Sequence, residues 1–289
     1  MIDKPMKRFV IFSAMVGGYD QILQPLTVDD RFDFVLFTND IADSQVGVWQ
    51  IRPIEYHNED NTRICRYVKT HPETLLPEYE ASVWMDMNVS IKTHYLYDCV
   101  VRLLEEGVEV SSMCHPSRNC IYDEAFAVMH MGVEHESVVL KWCGRIRKEK
   151  YPVNNGLCET NVLFRKHNEK ISAIDAYWWK CIEGNSRRDQ LSFNYVLWKQ
   201  KVPCHYMLGE GKCVRNSEHF VIVNHKKDYY NFCSFGKYEG WLMRYCRKVP
   251  AKTEMVKKNY FKLYAMPFPK FWAFLLGQFF RFKYLLTKK

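Results

Sequence analysis

Along the 289-residue chain, the residues best suited to chemistry fall just after short apolar runs. Trp84-Met85-Asp86-Met87-Asn88 closes one such run, and in an extended chain Asp86 and Asn88 project to the same side. Two oxygen ligands so placed can hold one Mg²⁺ or Mn²⁺, which neutralises a diphosphate. A strand-end turn rich in Asp and Asn is the plain alternative. His225 ends the run His219–His225 and offers a third ligand for Mn²⁺, or a structural imidazole. After the first run comes Val16-Gly17-Gly18-Tyr19-Asp20. Gly17 and Gly18 let the backbone approach a ligand, Tyr19 can stack on a base, and Asp20 can accept from a ribose. The same glycines also make an ordinary turn. Their spacing is not that of a GxGxxG dinucleotide loop.

Three further groups carry charge or amides. Arg63, Arg66 and Lys69 recur at every third position and share one helical face, either a cation stripe for a diphosphate or a solvated surface. In Ser186-Arg187-Arg188-Asp189-Gln190, Ser186 and Asp189 have the spacing of a helix cap. Alternatively, Asp189 and Gln190 face a sugar from the start of the following helix. Asn154 and Asn155 precede Gly156, which suits a turn; their amides also match sugar hydroxyls, which need donors and acceptors together.

Something must hold these groups together. Arg8–Met15, Phe32–Thr38, Ser82–Asp86, Glu109–Cys114, Thr160–Arg165, Val202–Met207 and His219–His225 read as buried strands. Tyr95–Glu106, Asn168–Ile182 and Gln190–Gln200 have helical spacing, with Asn168 as an N-cap. Alternating strands and helices predict an α/β fold with a mostly parallel sheet covered on both faces. Such sheets bind ligands beyond the carboxyl ends of their strands, where the polar groups above lie.

Charge divides the chain. Residues 244–289 hold twelve Lys and Arg against one acid, Glu254, a net of +11 that leaves −3 for residues 1–243 out of the formal +8. A nucleic-acid-binding fold would carry basic charge across its body, with isolated stacking aromatics; here the basic residues interleave with a continuous apolar block. Residues 1–243 are therefore expected to form the folded domain and residues 244–289 a basic, aromatic helical tail. As a helix, Phe271–Leu286 spans about 24 Å, short of the roughly 30 Å hydrocarbon core. An anchor lying on a membrane surface through residues 266–289 is expected, with a helix docked on the domain as the alternative. The scattered cysteines lack metal spacing, and Met1–Lys7 leads directly into a strand-like run. Reduced thiols and a cytoplasmic location, peripheral on the cytoplasmic face of a membrane, follow as expectations.

Taken in order, the segments resemble a family. These are Asp60-x-x-Arg63-x-x-Arg66-x-x-Lys69, Pro77-Glu78-Tyr79, Trp84-x-Asp86-x-Asn88, the block His115-Pro116-x-Arg118-x-Cys120-Ile121-Tyr122-x-Glu124-Ala125, Asn154-Asn155-Gly156-Leu157, and Arg188-Asp189-Gln190-Leu191-Ser192-Phe193. From about Phe9 to about His225 they resemble a glycosyltransferase-like family long catalogued as domain of unknown function 616, itself similar to retaining enzymes of the glycogenin and lipopolysaccharide galactosyltransferase type. The resemblance implies a GT-A, Rossmann-like sheet flanked by helices and a nucleoside diphosphate sugar donor. It implies a glycan or lipid-linked acceptor, in surface polysaccharide assembly. Asp86, Asn88 and His225 would take the metal positions, with Asp86 also near the ribose. Asn154, Asp189 and Gln190 would line the donor sugar and the acceptor, and Arg66 and Lys69 would lie near the donor phosphates or the sugar. An inverting enzyme would use Asp189 as base. Asn88 stands where that family type has a second acid, which weakens the metal site and leaves a catalytically degenerate sugar-binding protein as the alternative.

Overall fold

The computed structural model describes residues 8–226, 241–253 and 269–287. Largely apolar runs become strands buried on both faces, first β1 (Phe9–Ala14) and β2 (Phe32–Phe37). The short β3 (Gln45–Val46) and β4 (Trp49–Arg52) follow, both partly exposed. Helix α1 (Asn61–Lys69) and the single turn α2 (Pro72–Leu75) lead to β5 (Ala81–Met85) and β6 (Val89–Ile91). Then come α3 (Tyr95–Glu105), β7 (Val110–Cys114), α4 (Ile121–Met131), α5 (Glu136–Lys148) and β8 (Cys158–Lys166). The chain continues through α6 (Glu169–Gly184), α7 (Gln190–Gln200), β9 (His205–Tyr206) and β10 (Phe220–Ile222). Two helices, α8 (Trp241–Lys248) and α9 (Pro269–Leu286), lie in the tail.

Packing divides the chain into two units, Met1–Asn119 with Gly156–Lys227, and Cys120–Asn155 with Asp228–Lys289. The first holds a sheet in the order β3-β4-β2-β1-β5-β8-β7-β9. Its centre is parallel, as the continuous apolar runs predict: β1 pairs with β2 and β5, and β2 with β4. Strand β8 runs antiparallel to both β5 and β7, which makes the sheet mixed. Its entry, residues 158–161, therefore lies at the same edge as the carboxyl ends of β1 and β5. The expected strand His219–His225 contracts to β10, which leaves the main sheet and pairs antiparallel with β6.

Alternate residues of the sheet feed two layers. Phe9, Ile11, Phe34, Val83 and Met85 pack with Leu96, Tyr97 and Val100 of α3. On the opposite face Phe12 meets Trp84 edge-on at 5.4 Å. There Arg165 pairs with Asp175 of α6 at 2.8 Å and donates to the Lys69 carbonyl at 2.6 Å, which fixes the end of α1.

In the second unit α4 packs on α5, and Tyr245 of α8 meets Phe280 of α9 with ring centroids 5.3 Å apart. No helix of the described residues is long and apolar enough to cross a membrane. Residues 266–268, 288 and 289 of the expected anchor lie outside the described residues. The described cysteines are free thiols.

Candidate functional site

The first turn of the site is built on glycine. Gly17 and Gly18 have φ of +74° and +58°, and a Cβ at Gly17 would meet the side chain of Asn61 at the start of α1. Asp40, just past β2, accepts from the Gly18 amide at 2.8 Å, so two adjacent strand ends are tied together. Asp20 in turn receives His225 Nδ1 at 2.7 Å, and the Tyr19 ring lies 4.5 Å from that imidazole.

Helix α1 starts at Asp60, whose carboxylate caps the Thr62 amide at 2.9 Å and also pairs with Arg187 at 3.2 Å. Arg63 is spent on the far end of α6, donating to the carbonyls of Ile182, Glu183 and Asn185. A cation on those last carbonyls stabilises the helix end, so of the stripe only Arg66 and Lys69 turn to the site.

Those two converge on Asp189. Lys69 Nζ pairs with one carboxylate oxygen, which Thr160 Oγ1 of β8 also reaches at 2.8 Å; Arg66 Nε sits 3.1 Å from the other. Lys69 is 1% exposed and its ammonium lies 5.3 Å and 5.8 Å from the rings of Trp84 and Trp178. Burial alone would raise the Asp189 carboxyl, but Arg66 and Lys69 hold it far below the usual carboxylate range. Burial lowers Lys69 despite the pull of Asp189, while Asp189 and Asp86 outweigh burial and raise Arg66. Asp189 stands at the N-cap position of α7 without capping with its side chain; Ser186 instead accepts from the Arg188 amide at 3.1 Å. The carboxylate has been drawn off to the cations. Gln190 reaches back to the Cys158 carbonyl at 3.2 Å, tying α7 to the entry of β8.

Asp86 follows β5 and accepts from its own strand's Trp84 indole at 2.7 Å. Asn88 is buried in the turn to β6; its side-chain amide nitrogen donates to the Val223 carbonyl at 3.1 Å, and its backbone carbonyl accepts from Val223 N at 3.0 Å. That link brings the segment carrying His225 alongside the Asp86–Asn88 turn. Among the described residues no three His, Cys, Asp or Glu side chains converge as a cation cage. The donor types still suit Mn²⁺ or Mg²⁺: one carboxylate, one amide oxygen whose nitrogen is already engaged, and one imidazole oriented by Asp20, the usual outer partner of a metal-bound histidine. Asn154 and Asn155 belong to the second unit, where both are exposed; Asn154 has φ of +53° and Asn155 contacts the Tyr151 hydroxyl at 3.4 Å.

Glu159, Thr160, Asn161 and Arg215 also gather here, outside the motifs that the sequence displays. The signal is the succession Glu159-Thr160-Asn161 before the apolar Val162-Leu163-Phe164 of β8, and all three polar residues are buried. Arg215, just before β10, pairs with Glu159 and feels the charge of Asp86.

A mixed sheet whose strand ends gather buried cations beside an Asp-x-Asn turn defines an α/β domain with a cation-bearing sheet edge. The chain belongs to the TOD1/MUCI70, glycosyltransferase-like domain family, whose pattern matches residues 3–225. The alkaline ceramidase TOD1 of Arabidopsis thaliana is 21% identical over 221 residues, 65% of this chain and 47% of that protein. The chain thus spans about half the length of that curated relative. Two solved structures are similar at a TM-score of 0.40 each. The WbbM bifunctional glycosyltransferase is 8% identical, over 71% of this chain and 39% of that one. Mouse xyloside xylosyltransferase 1 is 9% identical, over 69% and 84%.

Proposed function

We propose that this chain transfers a glycosyl group from a nucleoside diphosphate sugar to a hydroxyl of a glycan or lipid-linked acceptor. One observation carries the reading: Arg66 and Lys69 are buried around the single carboxylate of Asp189, and with the charge of Arg188 also felt there three cations face the two carboxylates of Asp189 and Asp86. A preorganised positive site of this kind stabilises a departing diphosphate, and burial strengthens it relative to water. Asp189 positions the two cations. Tyr19 and Asp20 flank the nucleoside side of the edge, and Gln190 the sugar side. Bound Mn²⁺ or Mg²⁺, held by Asp86, Asn88 and His225, would add Lewis-acid neutralisation of the same phosphates.

The test is a thermal-shift screen of nucleoside diphosphate sugars with and without Mn²⁺, followed by turnover assays on each binder. Failure of every donor to bind or react sinks the reading. Binding without turnover identifies the sugar-binding alternative. Ceramide hydrolysis with no nucleotide sugar present would instead align the chain with its relative's named activity.

A membrane-proximal acceptor is supported by α9. It packs inward through Phe280, while Leu275, Phe279, Phe282 and Leu286 fall on one face and are exposed, Phe282 at 62%. Lys283 and Arg281 stand among them, the pairing of apolar face and cations that anionic membrane surfaces attract.

A further inference from the structure

The strand β8 is interrupted by a bulge near its start. Its pairing with β7 is regular to Ser112–Leu163, then skips to Met113–Glu159, so Thr160, Asn161 and Val162 bulge from the ladder. Ser112 spans the bulge, its hydroxyl reaching the carbonyls of Val162 at 3.0 Å and Glu159 at 3.2 Å. On the other side β5 stays in register, and the Asp86 amide bonds the Asn161 carbonyl at 2.8 Å. A bulge beside a ligand edge re-aims side chains, and this one changes which way Glu159 and its neighbours face.

Glu159 is 6% exposed. One carboxylate oxygen pairs with Arg215, whose own side chain is half exposed. The other, Oε2, is enclosed and has no hydrogen-bond partner among the described residues; nor has Asn161 Oδ1 two residues on. Buried polar atoms are almost always satisfied, so two orphaned acceptors in one bulge, at the edge carrying Asp86, mark a place where donors arrive from outside the chain. Sugar and acceptor hydroxyls are such donors.

We propose that Glu159 is a catalytic residue that accepts the proton of the acceptor hydroxyl. The inference rests on the transferase reading. In the step, the acceptor oxygen bonds to the anomeric carbon while that carbon's bond to the diphosphate oxygen breaks, its electron pair leaving with the diphosphate. The hydroxyl proton passes to Glu159 Oε2. Asp189 is unsuited to this, because both its oxygens are engaged by Lys69, Thr160 and Arg66. Asp86 and Asp20 each give one oxygen to Trp84 and His225, and the proposed function already uses them, Asp86 at the metal and Asp20 on the nucleoside side. Arg215 keeps the Glu159 carboxylate oriented through the oxygen that does not react.

The test uses the full chain and a donor that the wild type turns over. Glu159→Gln is expected to lower turnover on the order of 10²–10³-fold, the usual worth of a general base, with donor binding and Tm unchanged. Glu159→Asp should fold and lose kcat with little change in donor KM, and formate should restore part of the turnover lost in Glu159→Ala. Wild-type turnover in Glu159→Gln overturns the assignment. So does loss of the folded state in both the Gln and Asp variants, which marks a structural carboxylate. A wild type that turns over no nucleoside diphosphate sugar overturns the transferase reading itself, and this assignment with it.

Discussion

Two buried carboxylates face the same sheet edge and are treated in opposite ways. Asp189 is closed: Lys69, Arg66 and Thr160 account for both its oxygens, and two tryptophan rings wall in the lysine. Glu159 is half open, with Arg215 on one oxygen and no partner among the described residues for the other. A saturated carboxylate cannot take up a proton at neutral pH, but it can hold two cations where a diphosphate needs them. An unsaturated one costs stability, and that cost is retained where chemistry uses it.

Removing charge from each side separates the two roles. Asp189→Asn leaves buried Lys69 and Arg66 without their counter-charge and should destabilise the fold by about 3–5 kcal/mol, read from denaturant melts. Glu159→Gln should leave those melts unchanged while turnover falls. Equal melts for the two variants would erase the distinction. A stable Asp189→Asn protein that bound donor but was inactive would restore Asp189 to the base role suggested by its place in the Arg188–Phe193 segment.

The same contrast applies to apolar groups. Phe280 is closed against Tyr245, whereas Phe279 and Phe282 are exposed on the neighbouring face of α9. Fully burying a phenylalanine is worth about 1.5–3 kcal/mol, so Phe279→Ser with Phe282→Ser should weaken binding to anionic vesicles by roughly tenfold or more per residue. Vesicle sedimentation that does not change would leave α9 as a docked helix only.

The closed part of the site also has its backbone cost. Gly17 has φ of +74° with Asn61 against it, and Gly17→Ala should lose about 1–2 kcal/mol from the left-handed conformation alone. Thermal melts check this, and an unchanged Tm would mean that the loop relaxes freely.

Which parts of this were legible in the sequence follows from the same division. The strands β1, β2 and β5 were readable because burial on both faces leaves a largely apolar run. Asn168 was readable as a cap because its side chain does accept, from the Ile171 amide at 2.9 Å. Strands β3, β4 and β6 are too short to leave a pattern, and α4 and α5 were not read from periodicity. Arg63 illustrates the limit for charged residues. Its spacing places it with Arg66 and Lys69, yet α6 offers it carbonyls, which no local pattern announces. Glu159 falls outside the apolar run Thr160–Arg165, because β8 begins two residues earlier, at Cys158. The antiparallel sense of β8, which carries its entry to the ligand edge, is a property of topology alone.

The smallest expected effect in the wild type comes from two buried titrating groups that oppose each other. Burial raises the Asp175 carboxyl to about 7, against the pull of Arg165, and lowers the His167 imidazole to about 4. Between roughly pH 4 and 7 the folded chain holds more protons on Asp175 than the unfolded chain does, so Asp175's contribution to stability is lost as pH rises. For His167 the unfolded chain holds more protons between about pH 4 and 6.5, so its contribution is lost as pH falls. The two slopes oppose each other across most of that window, and the wild-type Tm should change little from them. Asp175→Asn removes the first slope, so the variant's Tm should climb with pH up to about 6.5. His167→Gln should do the reverse, its Tm declining toward pH 7. Parallel profiles in the two variants would mean that neither group titrates in this window. The ion pair of Arg165 with Asp175, which clamps the carbonyl end of α1, would then be as closed as the one above it.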